Sequence, residues 1–159
     1  MRALIAVLVL LFCAPALAAD WGHYVNVRYG FATDIPPGFV GQGESDNSDG
    51  QIFTTPTAEL RVFGANILAP DFEAEVRERE AADTAAGWAL TYKVSTPTAA
   101  SWSGRQGSRI LYVRAIALCE GTQIGILQLT YMRADLAAFD AIVERLVRAF
   151  RATEGSATC

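Results

Sequence analysis

The sequence is poor in the side chains that most often carry metal and nucleophilic chemistry. It has one histidine, His23, and three cysteines among 159 residues. A single histidine excludes multi-histidine metal sites, and the cysteines lack the Cys/His spacing of zinc sites. Any Ser-His-Asp or Cys-His system would have to use His23. This residue lies close to the N-terminus that we expect after removal of a signal peptide, and chain ends are often poorly ordered. The sequence therefore carries no specific catalytic signature and predicts no cofactor.

Basic side chains are also scarce. Lys93 is the only lysine, and 13 basic residues stand against 17 acidic ones, for a net charge of −4. An acidic domain without an evident basic patch is a poor candidate for binding nucleic acid or anionic lipid. We therefore expect no nucleic-acid partner.

One long apolar run opens the chain. Residues Ala3 to Phe12 are all apolar, follow Arg2 and precede the small-x-small pattern Ala16-Leu17-Ala18. This is the pattern of a secretory signal peptide, and the run is too short to span a membrane. The sequence predicts a periplasmic or secreted protein without stable membrane insertion after cleavage. The predicted parts are a signal peptide over 1–18, one domain over 19–152 and a tail over 153–159.

Two cysteines remain after that cleavage, Cys119 and Cys159. An even count in an oxidising compartment favours a disulfide. After Cys119 and its turn, the next strand carries the chain about 33 Å away, at ~3.3 Å per residue. The closing helix then returns the chain by roughly 25 Å toward the level of that turn. The residues left after that helix can reach the turn. We predict a Cys119–Cys159 bond, the alternatives being an intermolecular bridge or free redox-active thiols.

The hydrophobic pattern predicts an α+β fold, an antiparallel sheet covered by two helices. The closing helix has one apolar face suited to packing on the sheet. Gly41 to Gly50 is predicted as a solvent-facing loop, and Thr96 to Gly104 as a loop or a loosely paired hairpin end. The predicted strands are His23 to Arg28, Phe31 to Ile35, Gln51 to Thr55, Glu59 to Asn66, Trp88 to Ser95, Arg109 to Leu118 and Gln123 to Met132, and the helices are Asp71 to Ala86 and Asp135 to about Arg151.

The segment YVNVRYGFATDIPPGF at Tyr24–Phe39 resembles the start of PsbP-like domains, with a tyrosine, a turn before Gly-Phe, and Pro-Pro-Gly-Phe. In those domains too, a helix and a long hairpin follow, and a second helix closes the chain. Two further segments, DGQIF at Asp49–Phe53 and AELRVFGA at Ala58–Ala65, resemble small uncharacterised exported bacterial proteins. The PsbP-like resemblance implies a binding or assembly module rather than an enzyme.

Two groups of acidic residues are candidates for chemistry. Glu44, Asp46 and Asp49 supply oxygen ligands within a short polar stretch, as a hard cation such as calcium requires, but their spacing fails the EF-hand pattern. Asp34 and Glu59, with the glutamates of the first helix, are candidates for an acid/base pair. Solvated surface charge is the alternative interpretation of both groups.

Trp102, Arg105 and Arg109 are the binding candidates. Trp102 is flanked by serines in a predicted polar loop, and the two arginines beside it suit an anionic partner. We predict a non-enzymatic binding or envelope-assembly module with an envelope protein as a possible partner. The alternative is a small periplasmic hydrolase that uses carboxylates or His23, which a deep pocket with convergent carboxylates would favour.

Overall fold

The computed structural model describes residues 20–153. The predicted signal peptide over 1–18 lies outside the described residues, and so does the tail beyond Thr153, which includes Cys159. Two helices, α1 (Phe72–Ala85) and α2 (Leu136–Ala149), and two short 3-10 turns, Cys119–Gly121 and Arg133–Asp135, accompany the strands. The strands are β1 (Gly22–Asn26), β2 (Phe31–Ile35), β3 (Val40–Glu44), β4 (Gly50–Thr54), β5 (Glu59–Asn66), β6 (Ala89–Ser95), β7 (Ala99–Gln106), β8 (Arg109–Leu118), β9 (Gln123–Met132) and β10 (Arg151–Ala152).

The described strands form two antiparallel sheets. The large sheet has seven strands in the order β3-β4-β5-β9-β8-β7-β6, and the small sheet has the order β1-β2-β10. The central hairpin β8–β9 pairs over its whole length, from Arg109 opposite Met132 to Leu118 opposite Gln123. The predicted α+β class, with an antiparallel sheet and two helices, is confirmed.

Helix α2 and the small sheet cover one side of the large sheet, which we call the α2 face. Phe31 of β2, Leu60 of β5 and Leu146 of α2 are all fully buried in this core. The rings of Tyr131 and Phe139 stack with centroids 4.3 Å apart. Tyr29 lies so close to Gly64 that a Cβ there would come within 2.2 Å of its ring, so this position requires glycine. The predicted apolar face of the closing helix is confirmed.

Helix α1 covers the opposite side, the α1 face. Its narrow buried stripe includes Phe72 and Val76, which pack with Trp102 and with side chains of β8 and β9. The helix ends before Gly87, whose φ of +95° is a left-handed conformation that glycine adopts without strain. The helix predicted over Asp71 to Ala86 is confirmed, as a surface helix with one narrow buried stripe.

Three strands escaped the sequence prediction. The loop prediction for Gly41 to Gly50 is wrong in its first half, because β3 occupies Val40–Glu44 as an edge strand with every side chain exposed. Such a strand has no buried face and shows no alternation of apolar residues. Of the two alternatives for Thr96 to Gly104, the loop is wrong from Ala99 onward, where β7 begins and pairs with both β6 and β8. The closing helix stops at Ala149, and Arg151–Ala152 pairs with β2 as β10.

Among residues 20–153, the two helices are each too short to cross a membrane.

Candidate functional site

The α2 face is built from polar and aromatic side chains where it extends over β6, β7 and β8. Register places Tyr92, Ser103 and Tyr112 in one row across these strands, and Val94, Ser101 and Arg114 in the next. The residues that alternate with them, such as Trp102, face α1 instead. Tyr92 is 50% exposed and Val94 is 45% exposed. We call this surface the β6–β8 face; its members are Tyr92, Val94, Ser101, Ser103, Arg105, Tyr112 and Arg114.

The polar side chains of the β6–β8 face converge on Ser101, which is buried. The Tyr112 hydroxyl donates to Ser101 Oγ at 3.1 Å, and Arg114 Nη1 donates to the same atom at 3.3 Å. Burial raises the pKa of Tyr112, although Ser101 and Arg114 partly oppose the shift, so its phenol stays protonated at neutral pH. The buried Nε–H of Arg114 has no acceptor among the described residues. The centre of this face therefore offers donors.

Carboxylates are missing from this part of the chain. No Asp or Glu occurs between Asp83 and Glu120, a stretch that contains β6, β7 and β8. Within residues 20–153, neither Arg105 nor Arg114 has an ion pair. Most other cations of that range have one, the pairs being Arg28–Asp49, Arg61–Glu59, Arg79–Glu75, Lys93–Glu80, Arg145–Asp34 and Arg148–Glu144. This acid-free run was visible in the sequence and is the signal that could have identified the face.

The structure does not bring the three predicted binding residues together. Trp102 is 1% exposed and lies beneath α1, where its Nε1–H donates to Asp83 Oδ2 at 2.6 Å. Arg105 is exposed on the β6–β8 face. Arg109 points to the α1 face, with its guanidinium 5.9 Å from the ring centre of Trp88. The alternation of side chains along β7 and β8 separates them, so that only Arg105 shares a surface with Arg114.

The three acidic cation candidates do not converge on one point. Glu44 accepts from the Tyr24 hydroxyl at 2.9 Å, and Asp49 pairs with Arg28 at 2.8 Å. Asp46 is exposed in the turn between β3 and β4. Within residues 20–153, no group of three or more His, Cys, Asp or Glu side chains is arranged to hold a metal ion.

His23 lies in an exposed cluster of the small sheet and α2. Its Nδ1 is 3.5 Å from Asp34 Oδ1, and Arg145 Nε donates to Asp34 Oδ2 at 2.8 Å. The same guanidinium stacks over Trp21, 4.2 Å from the ring centre. Asp34 is therefore contacted by both His23 and Arg145. Of the other carboxylate candidates, Glu59 pairs with Arg61 on its own strand, and Glu75 and Glu80 of α1 pair with Arg79 and Lys93.

A cleft of about 530 Å³ lies against β3, β4 and β5. Ile52, Arg61 and Phe63 line its strand side, and the β3–β4 turn contributes Asp49. Asp49 is the one carboxylate among the lining residues, and Arg28 already pairs with it. The cleft therefore lacks the convergent carboxylates that acid/base hydrolysis requires.

No protein-family model and no curated protein matches this sequence. Among solved structures, the chain is similar to the Ran-binding protein Mog1p of Saccharomyces cerevisiae, with a TM-score of 0.64 and 11% identity over 87% of this chain and 98% of that one. It is also similar to cyanobacterial PsbP from Synechocystis, with a TM-score of 0.63 and 12% identity over 88% of this chain and 96% of that one. At these identities the likeness shows the fold. The predicted PsbP-like fold is confirmed.

Proposed function

We propose that the chain is an exported, non-enzymatic module that binds a protein through the β6–β8 face. The observation that carries the proposal is the half-exposed pair Tyr92 and Val94 beside two arginines without a carboxylate. Aromatic and arginine side chains are enriched at the centres of protein interfaces. Mog1p, which is similar in fold, is described as a Ran-binding protein, so this architecture has served protein recognition elsewhere.

A hydrolase is the second candidate, because His23 lies beside Asp34. That pair has the form of a base and its orienting carboxylate. Asp34 Oδ2 is bound by Arg145, however, and the one hydrogen bond of His23 among the described residues is the 3.5 Å contact to Asp34. A nucleophile or a water-activating partner would have to come from outside this cluster. The arrangement therefore supports the binding module better.

Photo-crosslinking inside the producing cell tests the proposal. A photoreactive phenylalanine analogue is placed at Tyr92, and the matched control carries it at Leu68, which is 92% exposed and lies outside the β6–β8 face. We expect one protein to crosslink from position 92 and not from position 68. Equal crosslinking at both positions, or none at position 92, would contradict a binding role for this face.

Export is tested on the same cells. N-terminal sequencing of the mature protein should find a start at Ala19 or Asp20, following cleavage after Ala18. A start at Cys13 with an added lipid mass would instead make the protein membrane-anchored. Recovery of the full-length chain from the cytoplasm would contradict export.

A further inference from the structure

We infer that the occupant of the β6–β8 face is an acidic segment of a partner protein, which places a carboxylate on Arg114 and an apolar side chain against Tyr92 and Val94. This inference rests on the proposed function and specifies the chemistry of the partner. It is carried by three independent observations: unmet donors on Arg114, the local absence of carboxylates, and exposed apolar area on the same surface.

The guanidinium of Arg114 has unused hydrogen-bonding capacity. An arginine side chain has five N–H donors, and among the described residues Arg114 uses one, from Nη1 to Ser101. Its buried Nε–H has no acceptor there. Such a group is rare, because a buried donor has lost its hydrogen bonds to water and is nearly always paired within the protein. A carboxylate accepts two parallel N–H bonds from a guanidinium in its preferred planar geometry. Nη2 of the same guanidinium is not buried and has no hydrogen bond among the described residues, so a carboxylate from outside the domain would accept from Nη2 and, beside it, from Nη1.

The surrounding charge selects an acidic ligand. The chain carries a net charge of −4, yet β6, β7 and β8 contain no carboxylate, and Arg105 and Arg114 share one face. The two carboxylates that bind side chains of these strands, Glu80 on Lys93 and Asp83 on Trp102, belong to α1 and lie on the opposite face. Charge complementarity across interfaces steers the encounter and rejects partners of the wrong sign. A basic segment would lack a counter-charge on these strands.

The apolar and aromatic content favours a protein segment over a nucleic acid or a lipid surface. Nucleic-acid binding uses on the order of six or more phosphate contacts from basic side chains, whereas this face has two arginines. Tyr92 and Val94 are about half exposed; Tyr92 lies in the same row of the sheet as Tyr112, and Val94 lies in the next row. This combination of aromatic rings, a short apolar stretch and isolated arginines is typical of a protein interface.

A titration with defined peptides tests the inference. The first probe is a blocked ten-residue peptide of Asp and Glu that contains two Phe residues, and its control has Lys at every acidic position. Backbone amide NMR of the mature domain should show shifts in β6, β7 and β8 with the acidic peptide alone. Added salt should weaken the binding, because its charges are partly exposed.

Variants locate the carboxylate. We expect Arg114→Gln and Arg105→Gln each to weaken the acidic peptide, Arg114→Gln by on the order of ten-fold. Arg114→Lys should restore only part of the loss, because lysine keeps the charge without the bidentate geometry. Arg61→Gln is the matched control on the other side of the sheet and should not change the binding. Circular dichroism checks that each variant is folded, and the exposed position of Arg105 keeps the test valid if Arg114→Gln is unstable.

Three outcomes would overturn the inference. They are equal binding of both peptides, acidic-peptide shifts outside β6–β8, and binding that is insensitive to both arginine variants. Binding of vesicles containing phosphatidylglycerol in an Arg114-dependent manner, without peptide binding, would also overturn it in favour of a membrane surface. If the peptide fails but Tyr92 crosslinks a protein in cells, the acidic occupant is wrong and the proposed function stands. If Tyr92 crosslinks nothing, the proposed function itself fails.

Discussion

The indole of Trp102 and the carboxylate of Asp83 join the sheet to α1 through one short hydrogen bond. Trp102 Nε1 donates to Asp83 Oδ2 at 2.6 Å, and Trp102 is 1% exposed. Asp83 lies near the end of α1, so this bond fixes the helix end above β7. A tryptophan amid serines and a glycine thus belongs to the core because α1 covers it.

Trp102→Phe should destabilise the domain by about 2–3 kcal/mol, because it removes the donor to a partly buried carboxylate and leaves a small cavity. Urea denaturation of the purified protein measures the free energy of unfolding. Trp88→Phe is the control. Because Trp88 is partly exposed, this substitution should lower the free energy of unfolding by less than ~1 kcal/mol. Equal losses in the two variants would contradict a special role for the Trp102–Asp83 bond.

The Asp83→Asn variant should gain stability relative to the wild type as pH rises. Burial raises the pKa of Asp83 above 3.8, although Trp102 and Arg79 partly oppose the shift. The folded protein therefore binds this proton more tightly than the unfolded chain does. The stability that the protonated Asp83 carboxyl contributes is fully present below the pKa that this group has in the unfolded chain. It is lost as pH rises through the higher pKa of the folded protein. Asparagine keeps an acceptor for the indole without the charge.

The measurement for Asp83→Asn is the difference in unfolding free energy between variant and wild type at pH 3 and at pH 7. Because both proteins share every other titrating group, the change in that difference isolates Asp83. A difference that is constant across this range, or that moves toward the wild type at pH 7, would show that the pKa is not raised.

Asn26→Ala should cost about 3 kcal/mol. Asn26 is 1% exposed; its side-chain oxygen accepts from the Tyr29 backbone N–H at 2.8 Å, and its amide donates to the Ser48 carbonyl at 3.0 Å. Truncation leaves both backbone groups without this partner, at about 1–3 kcal/mol each. Asn66→Ala is the matched control at an exposed position and should change stability by less than ~0.5 kcal/mol. Thermal unfolding of the three proteins decides the question.

A disulfide between Cys119 and Cys159 stays a prediction, since Cys159 lies outside the described residues. A Cβ added at Gly125 would lie 3.2 Å from both Leu118 and Phe150, so the end of α2 is close to the end of β8. Cys159 lies six residues beyond Thr153, and six residues of extended chain span up to about 20 Å. Cys119 follows Leu118 directly, and the tail is therefore long enough to reach it.

Non-reducing mass spectrometry of the protein purified from the producing cell should find the intramolecular bond. Cys119→Ser, Cys159→Ser and the double variant should each lose the same stability, at most ~4 kcal/mol, because all three remove one bridge. Two free thiols in the wild type, or a dimer linked through Cys159 as the main species, would contradict this bond.

His23→Ala should leave both the fold and the crosslink from position 92 intact. His23 is exposed, and Asp34 keeps its bond to Arg145 when the imidazole is removed. The expected change in unfolding free energy is below ~1 kcal/mol. A folded variant that loses the crosslink would place His23 in the binding surface, and loss of a hydrolytic activity would support the second candidate function.

The sequence by itself determined the elements whose apolar residues repeat regularly. The face of α2 that includes Phe139 and Leu146 was evident from its spacing, and so was the central hairpin of β8 and β9. These elements bury a continuous apolar surface, which leaves a periodic signal. The predicted first helix, Asp71 to Ala86, agrees with the observed Phe72–Ala85, which has Asp71 as its N-cap and Gly87 just beyond its end.

Only the tertiary structure decided which candidate residues share a surface. Edge strand β3 and the Ala/Ser-rich β7 have few large apolar side chains, so their sequences show little alternation. Their extended conformation comes from pairing with neighbouring strands. Strand pairing then separates Arg105 from Arg109, buries Trp102 and places Arg114 beside Tyr112 and Ser101. Side chains alternate between the two faces of a strand, and register fixes which neighbours they meet. That register comes from contacts between residues distant in sequence, which no local pattern records.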